Sequence, residues 1–205
     1  MTYTLYYSPG ACSTSPHVAL RESGLPFELV RVDLGKKTYG DQHADFLTVN
    51  PKGYVPALRL PDGQVLTENA VMIQYIADQV PDKRLAPPAG TFERLRFAEM
   101  LVFIATELHK GLSPLYNPKA SDELKASVKE RLVKRLTWLG EQVGTKKYLY
   151  GDDFTVADGY LFYCLRGWKR VAKEELPGPY LSSYHGRIIE RPSVLAVLAA
   201  EKLDP

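Results

Sequence analysis

YTLYYSPGACSTSPHVALRESG, residues 3–24, places a strand-like segment, a turn and a helix start in direct succession. The aromatic run at residues 3–7 is typical of a strand, and the Pro-Gly pair at residues 9–10 ends it. The hydroxyl side chains at residues 13–15 are typical N-caps, and Gly24 is a typical helix stop. We therefore predict a strand and a helix joined by a turn that carries Cys12.

The following residues extend this pattern. A second strand is expected at residues 27–32, then a polar loop at 35–42 and a short helical piece that ends near residue 50. Asp62-Gly63 between two apolar runs is a strong hairpin signal, so the strands at 57–60 and 64–66 should be antiparallel. Apolar residues at helical spacing between residues 71 and 80 complete the order βαβαββα, which is that of a thioredoxin-like α/β domain.

The pattern changes after residue 80. Residues 81–91 are rich in proline and read as a linker, so we predict one domain at residues 1–80 and a second at 92–205. The second domain should be all-helical, because its apolar residues fall on helical stripes. These are Phe97, Leu101, Ile104 and Leu108; Leu124, Val128, Leu132, Leu136 and Leu139; and Val156, Tyr160, Cys164 and Trp168, with Arg191-Pro192 separating two terminal helices.

Composition excludes several functions. The formal charge of +2 argues against a dedicated nucleic-acid or membrane-surface binder and favours a small ligand. No apolar run approaches the roughly 20 residues that span a bilayer, and no leader pattern marks the first residues. The two cysteines are too few for a disulfide framework or a zinc site. A reducing cytoplasm and no metal are therefore expected.

Cys12 is the main candidate for chemistry. Its place between a strand end and a helix start puts the sulfur near unsatisfied N–H groups and the positive helix end, which favours thiolate. The alternative is an inert, buried small hydrophobe. Cys164 lies on an apolar helical stripe and is interpreted as core packing.

Three further segments could bind a ligand. A cis Val55-Pro56 bond, which generic statistics disfavour but a thioredoxin-like domain favours, would leave the Val55 backbone free to pair with an extended peptide. Glu68 and Asn69 open a helix, where they are either an N-cap or an anion site with a carboxylate beside it for an ammonium. Lys36 and Lys37 are solvated charges or partners of a ligand carboxylate.

Other polar residues have structural interpretations. His109 and Lys110 should end a helix, where cations complement the helix dipole. His17 and His43 are expected at the surface or in caps. Thr155 and Asp158 form a predicted capping box.

Taken together, YSPGACS at 7–13, NPKGYVPAL at 50–58, LTE at 66–68 and GDDFTVAD at 151–158 resemble cytosolic glutathione transferases across nearly the whole chain. SPGACS and TELHKG at 106–111 are similar specifically to the bacterial beta class. The resemblance implies a homodimer that binds glutathione as a tripeptide and adds its thiolate to small hydrophobic electrophiles between the domains. It leaves two alternatives: disulfide exchange or reductive dehalogenation through Cys12, and a noncatalytic binding protein with this fold.

The resemblance also assigns roles. It implies that Lys37 meets the glycine carboxylate, Val55 the cysteinyl unit, and Glu68 with Asn69 the γ-glutamyl end, while Cys12 and His109 lie near the glutathione sulfur. The full expected set of glutathione-binding residues is Tyr7, Cys12, Lys37, Tyr54, Val55, Pro56, Glu68, Asn69 and His109, and Tyr116 is a candidate for the electrophile site. Two positions depart from close relatives: Val102 replaces an Asn, and Asn69 replaces a Gly or Ser.

Overall fold

A six-stranded mixed sheet forms the core of the first part of the chain in the computed structural model, which describes residues 2–204. Its spatial order is β4-β3-β2-β1-β5-β6. The strands are β1 (Tyr3–Tyr7), β2 (Phe27–Asp33), β3 (Thr38–Tyr39), β4 (Ala44–Asp45), β5 (Ala57–Arg59) and β6 (Val65–Thr67).

Strand pairing follows from the connections. β1 and β2 are parallel, with Tyr3 opposite Phe27, because helix α1 (Thr14–Ser23) crosses over between them. β5 runs antiparallel to both β1 and β6, and the Asp62-Gly63 turn closes the predicted hairpin. Helix α2 (Asn69–Asp78) then completes the thioredoxin-like unit, so the predicted fold class is confirmed.

The middle of this unit differs from the prediction. The expected polar loop contains β3, and the expected helical piece is a single 3₁₀ turn at Phe46–Thr48. Lys37, Gly40 and His43 all have positive φ angles, so the chain reverses tightly enough for β3 to pair with both β2 and β4. The Asp45 carboxylate accepts a hydrogen bond from the Leu47 N–H and caps the 3₁₀ turn.

Helix α1 confirms its predicted end and corrects its predicted start. Gly24 has φ +70°, and its N–H donates to the Leu20 carbonyl. Ser13, however, has helical backbone angles, and its hydroxyl donates to the Ser8 carbonyl and accepts from the Ser8 N–H at 3.2 Å in both cases. The hydroxyl therefore closes the turn around Cys12 instead of capping the helix.

The second part of the chain is helical, as predicted. Its helices are α3 (Phe92–Phe103), α4 (Lys110–Tyr116), α5 (Asp122–Val143), α6 (Val156–Ala172), α7 (Leu181–Ile189) and α8 (Pro192–Glu201), and a π-helical segment, Ile104–His109, joins α3 to α4. The predicted stripes are buried except for Leu124, which is exposed because it lies in the first turn of α5. Cys164 is core, as predicted.

Helix α6 lies at the centre of the molecule and packs against α1. The Thr155–Asp158 capping box at its start is present. The buried Asp158 also accepts hydrogen bonds from the Leu149 N–H and the Tyr184 hydroxyl, which ties two further segments to the start of α6. No helix within residues 2–204 is long and apolar enough to cross a membrane.

Candidate active site between the sheet domain and the helices

A cavity of about 430 Å³ opens between the thioredoxin-like unit and the π-helical segment. The first wall comes from the Cys12 turn, the strand-like residues before β5 and the start of α2. The second comes from the α3–α4 helix and α6. The lining residues are Cys12, Tyr54, Val55, Pro56, Glu68, Asn69 and Ala70 on the first wall, and Ala105, Thr106, His109, Lys110, Ser113 and Tyr160 on the second.

Cys12 is half-buried beside the segment that precedes β5. Its thiol donates a hydrogen bond to the Val55 carbonyl at 3.2 Å. Burial raises the pKa of the Cys12 thiol to about 12, although the adjacent backbone N–H groups and Lys110 act in the opposite direction. The prediction of a thiolate at Cys12 is therefore wrong, because desolvation outweighs the helix end. A neutral thiol at this position is a hydrogen-bond donor.

The Val55–Pro56 peptide bond is cis, the alternative that the thioredoxin-like order favoured. The segment before it is fixed by Asn50, whose side-chain amide donates to the Tyr54 carbonyl at 2.6 Å. Val55 and Pro56 both line the cavity, on the same wall as the Cys12 turn.

Glu68 has an unusual backbone conformation, φ +70° and ψ 114°, immediately before α2. The carboxylate does not take the predicted capping position. It accepts hydrogen bonds from Lys52 Nζ at 2.5 Å and from the Tyr54 hydroxyl at 3.5 Å. The Lys52 hydrogen bond holds the pKa of Glu68 below its usual range. Conformations of this kind cost free energy and concentrate at functional sites, so Glu68 is a candidate binding residue.

Asn69 is the first residue of α2 and is 6% exposed. Its side-chain NH₂ donates to the Cys12 carbonyl at 3.3 Å, which links the two binding segments of the first wall. Its buried side-chain oxygen has no hydrogen-bond partner among residues 2–204. A free acceptor at the edge of a cavity is available to a ligand donor.

His109 is the last residue of the π-helical segment, which continues directly into α4. The sequence interpretation, which placed His109 at the end of a helix, is therefore wrong. Its Nδ1 is hydrogen-bonded to the Tyr160 hydroxyl at 2.9 Å. Burial lowers the pKa of His109 to about 4, with a further contribution from Lys110. His109 is therefore neutral near pH 7 and does not act as a helix-capping cation.

Some predicted residues lie elsewhere. Tyr7 lines a separate groove of about 820 Å³ along β2 and β3. Lys37 lies just outside the cavity, and its Nζ donates to the Gly53 carbonyl at 2.6 Å. Val102 is 57% exposed on α3 and is not part of the lining. His43 is exposed, as predicted.

His17 contradicts the prediction of a surface or capping residue. It is completely buried, with Nδ1 3.0 Å from Glu201 Oε1 at the end of α8. The partners are 184 residues apart, so no local pattern could indicate the contact.

The sequence interpretation did not select Lys52, Thr106, Lys110 or Tyr160 for the site. The signal for Lys52 is its positive charge, which is opposite to that of Glu68. Lys52 precedes β5, and Glu68 follows β6, which pairs with β5. Tyr160 was assigned to the core stripe, but it also lines the cavity, and its hydroxyl is hydrogen-bonded to His109 Nδ1. Within residues 2–204, no group of three or more His, Cys, Asp or Glu residues is arranged to hold a metal ion.

A thioredoxin-like unit joined to a helical domain, with a cavity between a Cys-bearing turn, a cis-proline segment and a polar helix start, is the architecture of glutathione transferases. The family model "Glutathione S-transferase, N-terminal domain" matches residues 10–79, and "Glutathione S-transferase, C-terminal domain" matches residues 106–201. The chain belongs to this family.

Individual relatives narrow the class. The chain is 45% identical over 200 residues to glutathione S-transferase GstA of Escherichia coli O157:H7, covering 97% of this chain and 98% of the relative. It is 46% identical to the structure of the beta-class glutathione S-transferase of Sphingomonas chungbukensis, with a TM-score of 0.89. It is 44% identical to a sphingomonad glutathione S-transferase solved with glutathione, with a TM-score of 0.92. Each of these two comparisons covers 98% of this chain and 100% of the other chain. The chain is a glutathione transferase of the bacterial beta class.

Proposed function

We propose that this chain binds reduced glutathione in the 430 Å³ cavity and transfers it to small hydrophobic electrophiles. The observation that carries the proposal is the arrangement around Glu68. A carboxylate held in a strained backbone conformation faces the same cavity as the Cys12 thiol and the Val55 backbone. Glutathione has an ammonium, a peptide and a thiol in that order, so one extended molecule matches all three groups.

Each end of glutathione has a proposed partner. The Glu68 carboxylate and the free Asn69 side-chain oxygen receive the γ-glutamyl ammonium, and the backbone N–H groups at the start of α2 receive the neighbouring carboxylate. The Val55 backbone pairs with the cysteinyl peptide, flanked by Tyr54 and Pro56. Lys37 neutralises the glycine carboxylate. We omit Tyr7, because its position in the separate groove offers no route to this ligand.

Catalysis then rests on stabilising the glutathione thiolate. When glutathione binds, the neutral Cys12 thiol exchanges its hydrogen bond to the Val55 carbonyl for one to that sulfur, and Lys110 supplies positive potential. His109, neutral near pH 7, completes the second wall beside it. The thiol proton leaves to solvent, the sulfur forms a bond to the electrophilic carbon, and the leaving group departs with its electron pair.

Calorimetric titration with reduced glutathione tests this site. We expect Glu68→Ala to weaken binding about tenfold, because a charge-assisted hydrogen bond is lost. Glu130→Ala is the matched control, since Glu130 is also an exposed carboxylate paired with a lysine, Lys134, but lies on α5. Equal affinities for the two variants would contradict the proposed role of Glu68, and absent binding to the wild-type chain would contradict the function.

Cys12→Ala separates conjugation from the alternative chemistry. If Cys12 only donates a hydrogen bond, conjugation persists at a reduced rate. If Cys12 forms a mixed disulfide with glutathione, as disulfide exchange or reductive dehalogenation requires, the variant loses that activity completely. The neutral thiol favours the first outcome. Binding without turnover in the wild-type chain would support the noncatalytic alternative.

We also propose a cytoplasmic homodimer of two-domain subunits, divided at residues 81–91. Large apolar side chains on one helix support association: Phe92 and Leu95 are each 64% exposed on α3, and Val102 is 57% exposed. Surfaces of this kind mark interaction sites. A monomer mass in solution at micromolar concentration would contradict the dimer.

A further inference from the structure

A small cleft lies between the Cys12 turn and helices α4 and α6. It is lined by Gly10, Thr14, Tyr116, Tyr163, Arg166 and Arg170. Its accessible volume is about 10 Å³, which is the room that one oxygen-sized group needs. The cleft therefore suits the polar end of a ligand whose remaining atoms lie outside it.

The charge of the cleft is positive. Arg166 and Arg170 are four residues apart on α6, so their side chains share one face of the helix. Among residues 2–204, no carboxylate lies within ion-pair distance of either guanidinium. Arg166 donates to the Asp204 backbone carbonyl at 2.8 Å, and Arg170 lies over the Tyr116 ring at 5.3 Å. Two like charges on one helix face repel each other, and a bound anion would remove that repulsion.

Glu201, a carboxylate whose charge acts on Arg166, is already engaged. Glu201 accepts hydrogen bonds from the Gly10 N–H at 2.9 Å and the Thr14 hydroxyl at 3.1 Å, and its other oxygen contacts His17. Its oxygens therefore hold the Cys12 turn, and they act on Arg166 only at longer range, without an ion pair.

The cleft adjoins the proposed glutathione site. A Cβ placed on Gly10 would lie 3.4 Å from Arg170 Nη1. Because consecutive Cα atoms are about 3.8 Å apart, the Cα atoms of Gly10 and Cys12 are within about 7.6 Å of each other. On the other side, the Tyr163 ring that lines the cleft packs against His109, with ring centroids 5.1 Å apart. Tyr163 and the Cys12 turn are therefore shared boundaries of the two sites.

Gly167 makes the aromatic wall possible. A Cβ at this position would lie 3.0 Å from the Tyr116 hydroxyl and 3.2 Å from Leu112. The glycine therefore lets Tyr116 pack closely against α6, where its ring supports Arg170. Tyr116 and Tyr163 then present apolar ring surface beside two guanidinium groups.

We infer that the electrophile of this transferase is an aromatic carboxylate, with its ring against Tyr116 and Tyr163 and its carboxylate held by Arg166 and Arg170. This inference rests on the proposed function. Guanidinium groups bind carboxylates through paired, charge-assisted hydrogen bonds, which a neutral group of the same shape cannot form. The reactive carbon, at the other end of the ring, then faces the glutathione sulfur beside Cys12.

The matched electrophiles 4-fluoro-3-nitrobenzoate and 4-fluoro-3-nitrobenzamide test the inference. In both, the glutathione sulfur forms a bond to the ring carbon that carries fluorine, fluoride leaves with the electron pair of the C–F bond, and the thiol proton goes to solvent, so nothing is oxidised or reduced. The measured quantity is the ratio of kcat/KM for the benzoate to kcat/KM for the benzamide, after each is divided by its uncatalysed rate with glutathione. We expect a ratio above ten in the wild-type chain.

Variants locate the selectivity. Arg166→Met and Arg170→Met should each lower the ratio about tenfold, chiefly through the KM for the benzoate. Arg170→Lys should lower it less, because it keeps the charge and loses only the planar fork. Lys169→Met is the matched control: it removes the same charge from an exposed neighbouring residue that does not line the cleft, and its ratio should equal that of the wild type.

The outcomes separate the two levels of the hypothesis. Glutathione-dependent turnover of the benzamide with a ratio near one overturns the aromatic-carboxylate inference and leaves the transferase proposal intact. If Lys169→Met lowers the ratio as much as the arginine variants do, the preference for the benzoate comes from overall charge. That result also overturns the role of the cleft in binding the carboxylate. Absence of turnover with both electrophiles overturns the inference together with the proposed function.

Discussion

Two carboxylates flank the Cys12 turn, and their surroundings are opposite. Glu201 comes from the end of α8, and its side chain is completely buried and satisfied by Gly10, Thr14 and His17. Glu68 stands before α2 with its side chain 56% exposed, and it contacts Lys52 and Tyr54 at the protein surface. The backbone of Glu68 also has a positive φ angle.

The difference separates a residue that holds the fold from one that is available to a ligand. A buried carboxylate that has hydrogen-bond partners on every side fixes those partners and has no capacity left for another molecule. An exposed ion pair contributes little to stability, so a competing ammonium can replace Lys52 at small cost. We therefore expect substitutions of Glu201 to change stability and substitutions of Glu68 to change ligand affinity.

The largest expected effect is that of Glu201→Ala. Removing the carboxylate leaves the buried Thr14 hydroxyl, the buried His17 ring and the partly buried Gly10 N–H without their partner, and each buried group left in this way costs about 1–3 kcal/mol. We expect the free energy of unfolding to fall by about 3 kcal/mol or more, measured by urea denaturation followed by circular dichroism. Glu130→Ala, an exposed carboxylate on α5, should change it by less than about 0.5 kcal/mol. Similar losses in both variants would show that burial of Glu201 is not the source of its contribution.

A second prediction extends the comparison to the histidines. His17 is buried with a carboxylate partner, whereas His109 is hydrogen-bonded to the neutral Tyr160 hydroxyl and lies near the Lys110 cation. The pKa of His109 is about 4, compared with an ordinary value of 6.5, so between these pH values the unfolded chain binds more protons than the folded chain. Stability should therefore fall as the pH is lowered from 6.5 towards 4.

The measurement compares the wild type with His109→Gln, which cannot titrate. Between pH 7 and pH 5 the wild type should lose roughly 1–2 kcal/mol more stability than the variant. His185, whose pKa burial also lowers to about 4, is present in both chains, so its contribution cancels in the difference. Parallel pH curves for the two chains would mean that His109 is protonated as easily in the folded state as in the unfolded state.

The sequence predicts the parts of the fold that local signals encode. Gly24 ends α1, Asp62-Gly63 closes the β5–β6 hairpin, and Thr155 with Asp158 caps α6, because each signal acts within a few residues. The β3–β4 hairpin was missed, because its strands are only two residues long. It also depends on positive φ angles at Lys37 and His43, and neither residue type is one that usually adopts such angles.

The candidate site was predicted less completely, for a physical reason. The strand-turn-helix context drew attention to Cys12, which lines the cavity, but the protonation of its thiol depends on burial, which only the tertiary structure determines. His17 was misassigned because Glu201 meets it from the far end of the chain. Glu68 was selected from its place at a helix start, whereas its strained backbone and its contact with Lys52 are visible only in the structure.

The smallest expected effect concerns the backbone of Glu68 itself. Glu68→Gly and Glu68→Ala both remove the carboxylate and its exposed ion pair, but only glycine adopts φ +70° without a steric penalty. Relief of that penalty exceeds the greater flexibility of glycine in the unfolded chain, so Glu68→Gly should be more stable than Glu68→Ala by about 1 kcal/mol. Denaturation midpoints measure this difference, and glutathione titration should find both variants equally weakened. If Glu68→Ala were the more stable variant, the backbone at this position would not be strained, and the case for Glu68 as a binding residue would rest on its carboxylate alone.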